Sequence, residues 1–371
     1  MKSENKDMKR ESITFSSDNI QFIKELRERV SQYLLSEKKS EYGNMKLVYK
    51  TVFMLILYLL PFTIMLSGVI SSVWGVFMMW FLMGIGMAGV GMAVMHDANH
   101  KLYSKNHVFN KLMENTLYIL GGFPVTWQYQ HNSLHHGFTN IDGHDEDINP
   151  GSALRFSPHK PLLKIHKYQH IYAWFLYGLM TLMWVTNKDF KQLKRYSREG
   201  ITLSNKWSVK QLWLILIISK VLYYFVFLII PILILPVAWY WIVLGFLFMH
   251  FTCGFILTII FQTAHVVPTS KFPLPDKEGK IEYNWAVNQL YTTSDFAHKN
   301  RILSWFIGGL NYQVEHHLFP NISHIHYRKL AVLVKETARK YNLPYHVQPS
   351  FFNALHQHGK MLKLLGSKMT I

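Results

Sequence analysis

Cysteine is all but missing from this 371-residue chain. Cys253 is the only one, so neither a disulfide framework nor a thiolate metal site can be built. Charge is scarce as well: 16% of the residues are Asp, Glu, Lys or Arg, against roughly 25% in a soluble domain. The shortage is concentrated in two places. Residues 51–95 contain none of the four types, and residues 212–270 contain only Lys220. A membrane span needs about 20 apolar residues, so each stretch has room for two helices. These are predicted at 50–70 and 73–95, with Ser71-Ser72 at the turn, and at 212–235 and 237–262, with Pro236 at the turn. Trp239 and Trp241 follow the second turn, as aromatic residues do at a membrane interface. A cleaved leader is not expected, because residues 1–46 are charged throughout and the first apolar run is too long.

Both predicted turns lack Lys and Arg, whereas the segments before, between and after the two apolar stretches are rich in them. The positive-inside rule therefore puts all three segments on the cytosolic side. The formal charge of +17 fits cytosolic loops facing anionic headgroups. It also fits docking of an acidic electron carrier or a phosphate-bearing substrate. No nucleic-acid-binding motif accompanies it, so nucleic acid is not expected as a partner. Lys220 is predicted to snorkel to the surface. Residues 1–15 look disordered. From Ser17, a helix capped by Ser17 or Asp18 is predicted to carry an apolar stripe of Ile20, Ile23, Leu26, Val30 and Leu34. The aromatic-rich stretch at 166–185 reads as an interfacial helix, since a fifth span would separate the polar segments. Gly84-Ile-Gly86-Met-Ala-Gly89 matches a dinucleotide fingerprint letter for letter. It lies inside an apolar helix, however, where small residues serve close helix packing instead.

Against this background, histidine is abundant and clustered. His96 and His100 stand i,i+4 at the end of the second predicted span. His131, His135 and His136 form a second group, and Gln313, His316 and His317 a third. Residues four apart share a helical face, and His136 lies about 100° further round, which would let one helix serve two adjacent ions. Imidazole is the commonest protein ligand for iron, zinc and copper. A pair of histidines means little in a chain with 20 of them, but three helix-spaced groups on one side of a membrane predict a shared metal site. His265, at the end of the fourth span, reads equally as a ligand or as an interfacial histidine. His250, mid-span, is a functional candidate by position, but the favoured reading is a neutral ring hydrogen-bonded to a neighbouring helix. The acidic loop of His144, Asp145, Glu146 and Asp147 is either solvated or orients ligand imidazoles. His324 and His326 are expected at the surface or in the cap. A metal transporter would line several spans with polar groups, yet only His250 and Lys220 interrupt them.

These residues resemble the membrane fatty-acid desaturase family, whose signature is three boxes of the form HxxxH, HxxHH and [HQ]xxHH. They stand here as HDANH at 96–100, HNSLHH at 131–136 and QVEHH at 313–317, within NYQVEHHLFP. The last context is similar to the bacterial linoleoyl-CoA desaturase-like and front-end branches. The resemblance covers roughly residues 45–360. It implies an all-α integral membrane protein of four spans in two hairpins, with a cytosolic helical cap holding a dinuclear site. By resemblance the ligands of two iron ions are His96, His100, His131, His135, His136, His265, His316 and His317, with Gln313 where other branches carry histidine. The implied reaction uses O₂ to place a cis double bond in an acyl-CoA or acyl-lipid. Many relatives carry a fused cytochrome b5 domain with an HPGG motif. That motif is missing here, so the implied electron donor is a separate ferredoxin or cytochrome b5-type protein served by an NAD(P)H reductase. A hydroxylase or ketolase would use the same boxes, and imidazole alone does not separate iron from zinc. The expected organisation is an N-terminal segment at 1–45, a membrane domain at 46–271 enclosing a cap segment at 96–211, and a C-terminal cap at 272–371. The expected location is a bacterial inner membrane rather than the endoplasmic reticulum.

Overall fold

The computed structural model describes residues 13–368. Four helices are long and apolar enough to cross a membrane: Met45–Leu66, Val73–Asn99, Val209–Ile234 and Trp239–His265. They are called the first to fourth spans below. Each predicted span is present, with ends shifted by a few residues. Their starts are set by local capping. The Asn44 side chain accepts from the Lys46 amide at 3.0 Å, Ser72 accepts from Gly75 at 3.1 Å, and Ser208 with Gln211 forms a capping box.

The second and fourth spans form the inner pair, with 67% and 61% of their apolar windows buried, against 39% and 22% for the first and third. Glycine explains how closely the helices approach. A Cβ on Gly86 would lie 2.5 Å from the Tyr58 amide nitrogen, and one on Gly84 would lie 2.7 Å from the Met249 carbonyl. The apparent nucleotide fingerprint is thus a packing surface between spans. Replacing Gly86 by leucine is expected to cost roughly 1–3 kcal/mol or more through forced separation of the first two spans. Retention of the folded monomer in a detergent thermal ramp would measure it.

The remaining described chain packs on itself and against these helices. The Ile20–Ser36 helix buries Phe22, Ile23, Leu26 and Val30 against the Tyr327–Lys340 helix. Its N-cap is Asn19, in the left-handed region at φ 57° and without a side-chain cap, rather than Ser17 or Asp18. Of the segment expected to be disordered, residues 1–12 lie outside the described residues. Thr14–Phe15, however, forms a short parallel strand with Lys280–Ile281. The 166–185 stretch is broken into Gln169–Gly178, Met180–Met183 and the start of a π-helical turn at Trp184–Lys188. It packs along the fourth span, where a Cβ on Gly254 would lie 2.7 Å from the Gly178 carbonyl. Among the described residues no fifth helix is long and apolar enough to cross.

One expectation fails here. Lys220 does not snorkel: its ammonium is buried against Asp189 Oδ2 at 2.6 Å and donates to the Gly121 carbonyl at 2.5 Å. An inward carboxylate and helix-end carbonyls offer it more than the distant surface does. Of the two places expected for His324 and His326, the surface is excluded, since both are buried within the C-terminal segment. His324 Nδ1 lies 2.8 Å from Asp97 Oδ2, and His326 Nε2 donates to the Ser40 carbonyl at 2.8 Å. The buried Asp97 carboxylate needs such partners. His250 behaves as expected, with Nε2 2.9 Å from the Tyr223 hydroxyl and Nδ1 3.2 Å from Thr181 Oγ1.

Candidate metal centre

The three histidine groups and His265 meet at the polar end of the spans. The second span passes through a π-helical segment, Gly91–Met95, into His96–Asn99, with His100 closing the helix. Pro124–Gln128 likewise continues as a π-helix, Tyr129–His135. There the His136 amide donates to the His131 carbonyl at 3.1 Å, five residues back. Gln313–Leu318 is a short helix whose Val314 amide is held by Asp295 Oδ1 at 2.8 Å. His265 is the last residue of the fourth span.

Ligand-type atoms of His96, His100, His131 and His316 all lie within 4.8 Å of one another, and so do those of His135, His265 and His317. His136 stands between the groups, its ring centroid 4.7 Å from His131, 4.5 Å from His316 and 4.5 Å from His317. The π-turn changes the expected pairing. On an α-helix His131 and His135 would share one face, but here they contribute to different groups. His131 and His136, five apart, face each other with Nε2 atoms 3.2 Å apart. Wider π-helical turns are frequent at functional sites, and this one distributes a single helix over two clusters. Gln313 is buried, with its amide bordering the His265 ring.

Ring orientation is fixed from outside the cluster. His135 Nδ1 donates to Asp145 at 3.2 Å, and His265 Nδ1 faces the Thr292 carbonyl at 3.4 Å. His316 Nδ1 lies 3.0 Å from the Tyr327 hydroxyl, and His317 Nδ1 donates to Gln289 Oε1 at 2.9 Å. With Nδ1 engaged, Nε2 is the free lone pair. The Nε2 atoms of His265, His316 and His317, together with His100 Nε2, are buried with no hydrogen-bond partner. His131 Nε2 also lies 3.1 Å from His96 Nε2, although one proton can serve only one such contact. Burial, reinforced by the neighbouring imidazoles, holds His100, His131, His136, His316 and His317 well below the usual histidine range, so they are neutral at pH 7. His135 differs. Burial opposes its charge, but Asp145 and then Asp147 outweigh this and raise it to about 9. Asp145→Asn is therefore expected to weaken metal retention about 10–100-fold with little loss of folded protein. Chelator titration of purified protein would show it.

Sequence reasoning left the acidic loop open, and the structure puts Asp145 and Asp147 beside His135. It missed Tyr327, Gln289 and Thr292, which reach the ligands from 11 to 28 positions away and carry no local signal, and Asp97, which lies within the first box beside His96. Glu315, next to His316, is buried beside Asp295. Burial and then that carboxylate push its pKa well above the carboxylate range.

Converging, partnerless ring nitrogens in a buried pocket fit a bound metal and little else, since each would otherwise carry an uncompensated desolvation cost. Four apolar helices ending in such a pocket define a membrane protein with a site suited to metal ions. The chain belongs to the fatty acid desaturase family, which it matches over residues 71–349. It is 35% identical to the sn-1 linoleoyl-lipid 6-desaturase of Arthrospira platensis, over 95% of this chain and 94% of that protein. Identity to the enzyme of the same name from Synechocystis is 34%, over 77% and 79% of the two chains. An acyl-lipid (8-3)-desaturase of Physcomitrium patens is 31% identical, over 94% of this chain and 72% of its own. The protein is thus a membrane fatty acid desaturase, an oxidoreductase that introduces double bonds into acyl chains.

Proposed function

We propose that the chain holds two iron ions and desaturates acyl chains esterified to membrane lipids. His96, His100, His131 and His316 would hold one ion and His135, His265 and His317 the other, with His136 between them and Gln313 beside the second. The observation that carries this reading is the set of buried, unpartnered ring nitrogens converging in two groups. Iron with O₂ would supply the oxidant needed to take two hydrogens from adjacent methylenes, a step beyond any side chain. In balance, one acyl –CH₂–CH₂– unit, O₂, two electrons and two protons give –CH=CH– and two waters. The protein's part is to keep the His100, His131, His136, His316 and His317 rings neutral, to orient His135, His317, His316 and His265 through Asp145, Gln289, Tyr327 and Thr292, and to exclude bulk water.

The four spans would cross a bacterial inner membrane as two hairpins, with residues 1–45, 96–211 and 272–371 on the cytosolic side, as the charge distribution supports. Electrons would come from a separate ferredoxin or cytochrome b5-type protein and its NAD(P)H reductase. The names of the relatives favour a lipid-linked acyl group over acyl-CoA. Expression in a host containing C18 lipids, followed by separation of intact lipids and fatty acid analysis, tests this. The expected result is a new double bond appearing first in intact membrane lipid. Prior appearance in the acyl-CoA pool, or a hydroxylated product, would contradict it.

A further inference from the structure

Beside the first span, separated from the histidine cluster by His324 and Asp97, lies an open cleft of about 620 Å³. It is lined by Lys46, Lys50, Arg301 and Arg328 together with Phe53 and Trp305, and no Asp or Glu lines it. Lys46, Arg301 and Arg328 are exposed, and none of the four cations forms a salt bridge among the described residues. Lys50 is buried at the bottom. Its ammonium lies 2.7 Å from His324 Nε2 and 5.7 Å from the Trp305 ring centre, with no carboxylate within salt-bridge distance. Lys50 reaches the Asp97 carboxylate through His324, whereas the three exposed cations around the mouth have no salt-bridge partner among the described residues, and a concavity lined by one sign of charge attracts anions.

We propose that this cleft binds the phosphate of an anionic membrane lipid. The position selects a lipid. Lys46 and Lys50 are in the first two turns of the first span, at the level of the headgroups if that helix crosses the membrane as proposed above. Below them the same helix presents Val52, Phe53, Ile56 and Leu60, each about half exposed, a surface suited to acyl chains. The Arg301–Phe306 helix forms the opposite wall, with Ile302 and Trp305 exposed beside Arg301, the mixed face of an interfacial element. A concavity of this size suits one headgroup, whereas a protein partner would need roughly 800 Å² of surface. The assignment rests on the membrane crossing of the first span and is independent of the metal centre.

The test uses full-length protein in a neutral detergent and measures binding of dioleoyl-phosphatidylglycerol and dioleoyl-phosphatidylcholine by native mass spectrometry. Phosphatidylglycerol is expected to bind more tightly. Arg301→Gln and Arg328→Gln are each expected to weaken it about fivefold, and the pair about 25-fold. A Lys191→Gln/Lys194→Gln control, which removes the same charge elsewhere, is expected to leave it unchanged. Elution volume and metal content would report on folding, and neither readout requires turnover, so a failed desaturation assay would not affect the result. Equal binding by the double variant, or equal loss in the control, would overturn the site. Full displacement of the lipid by millimolar inorganic phosphate would overturn the lipid assignment in favour of a soluble phosphate.

Discussion

Double-bond formation is expected to fall to background when His131 is replaced by alanine, while the protein still accumulates in the membrane. His131 Nε2 is 3.1 Å from His96 Nε2 and 3.2 Å from His136 Nε2, so three ring nitrogens face one point. Two of these contacts cannot both be hydrogen bonds from the same proton. A cation accepting the lone pairs removes the conflict, and loss of His131 leaves both the ion and the remaining rings short of a partner. The Trp127 ring stacked on His131 at 4.4 Å would then border a hole. The loss should exceed the roughly 10–100-fold caused by deleting a supporting hydrogen bond, and so exceed that of Asp145→Asn. Fatty acid profiles of expressing cells, normalised to immunoblotted membrane protein, would show it. Activity within about tenfold of native would remove His131 from the centre.

Lys220→Ala is expected to be the most destabilising change outside the centre, costing about 3–5 kcal/mol. The ammonium and Asp189 are paired at 2.6 Å with both side chains almost wholly buried. Asp189 Oδ1 also accepts from Thr126 Oγ1 and from Trp184 Nε1, each at 3.0 Å. Thr126 belongs to the helix that runs into His131 and His135. The pair therefore ties the third span to the second histidine group, and removing the cation strands a buried carboxylate. Lys220→Met combined with Asp189→Leu should recover most of the loss, because no charge is left unpaired. Denaturant titration in mixed micelles of the single and double variants checks both statements. A single variant as stable as the native chain would mean that Lys220 reaches water in the bilayer.

The spans were legible because absence of charge over some 20 residues is a local, additive signal. The histidine groups were legible because helical spacing is local too. What was hidden depended on distant partners or on backbone geometry. Lys220 read as a snorkelling residue because Asp189, 31 positions earlier, has no visible link to it in sequence. His324 read as either surface or cap because its partners Asp97 and Lys50 lie more than 220 positions away. The division of His131 and His135 between two groups arises from a π-helical turn at Tyr129–His135, which no residue pattern in HNSLHH announces. Thr14–Phe15 is ordered only because Lys280–Ile281 offers it an edge, and composition alone could not show that edge.

Metal content of the purified native protein and of His135→Ala tests the central claim most directly. The dinuclear reading predicts about two iron atoms per chain in the native protein and one or none in the variant, at equal recovery of folded protein. Well under one iron atom per chain, unchanged by the substitution, would contradict it.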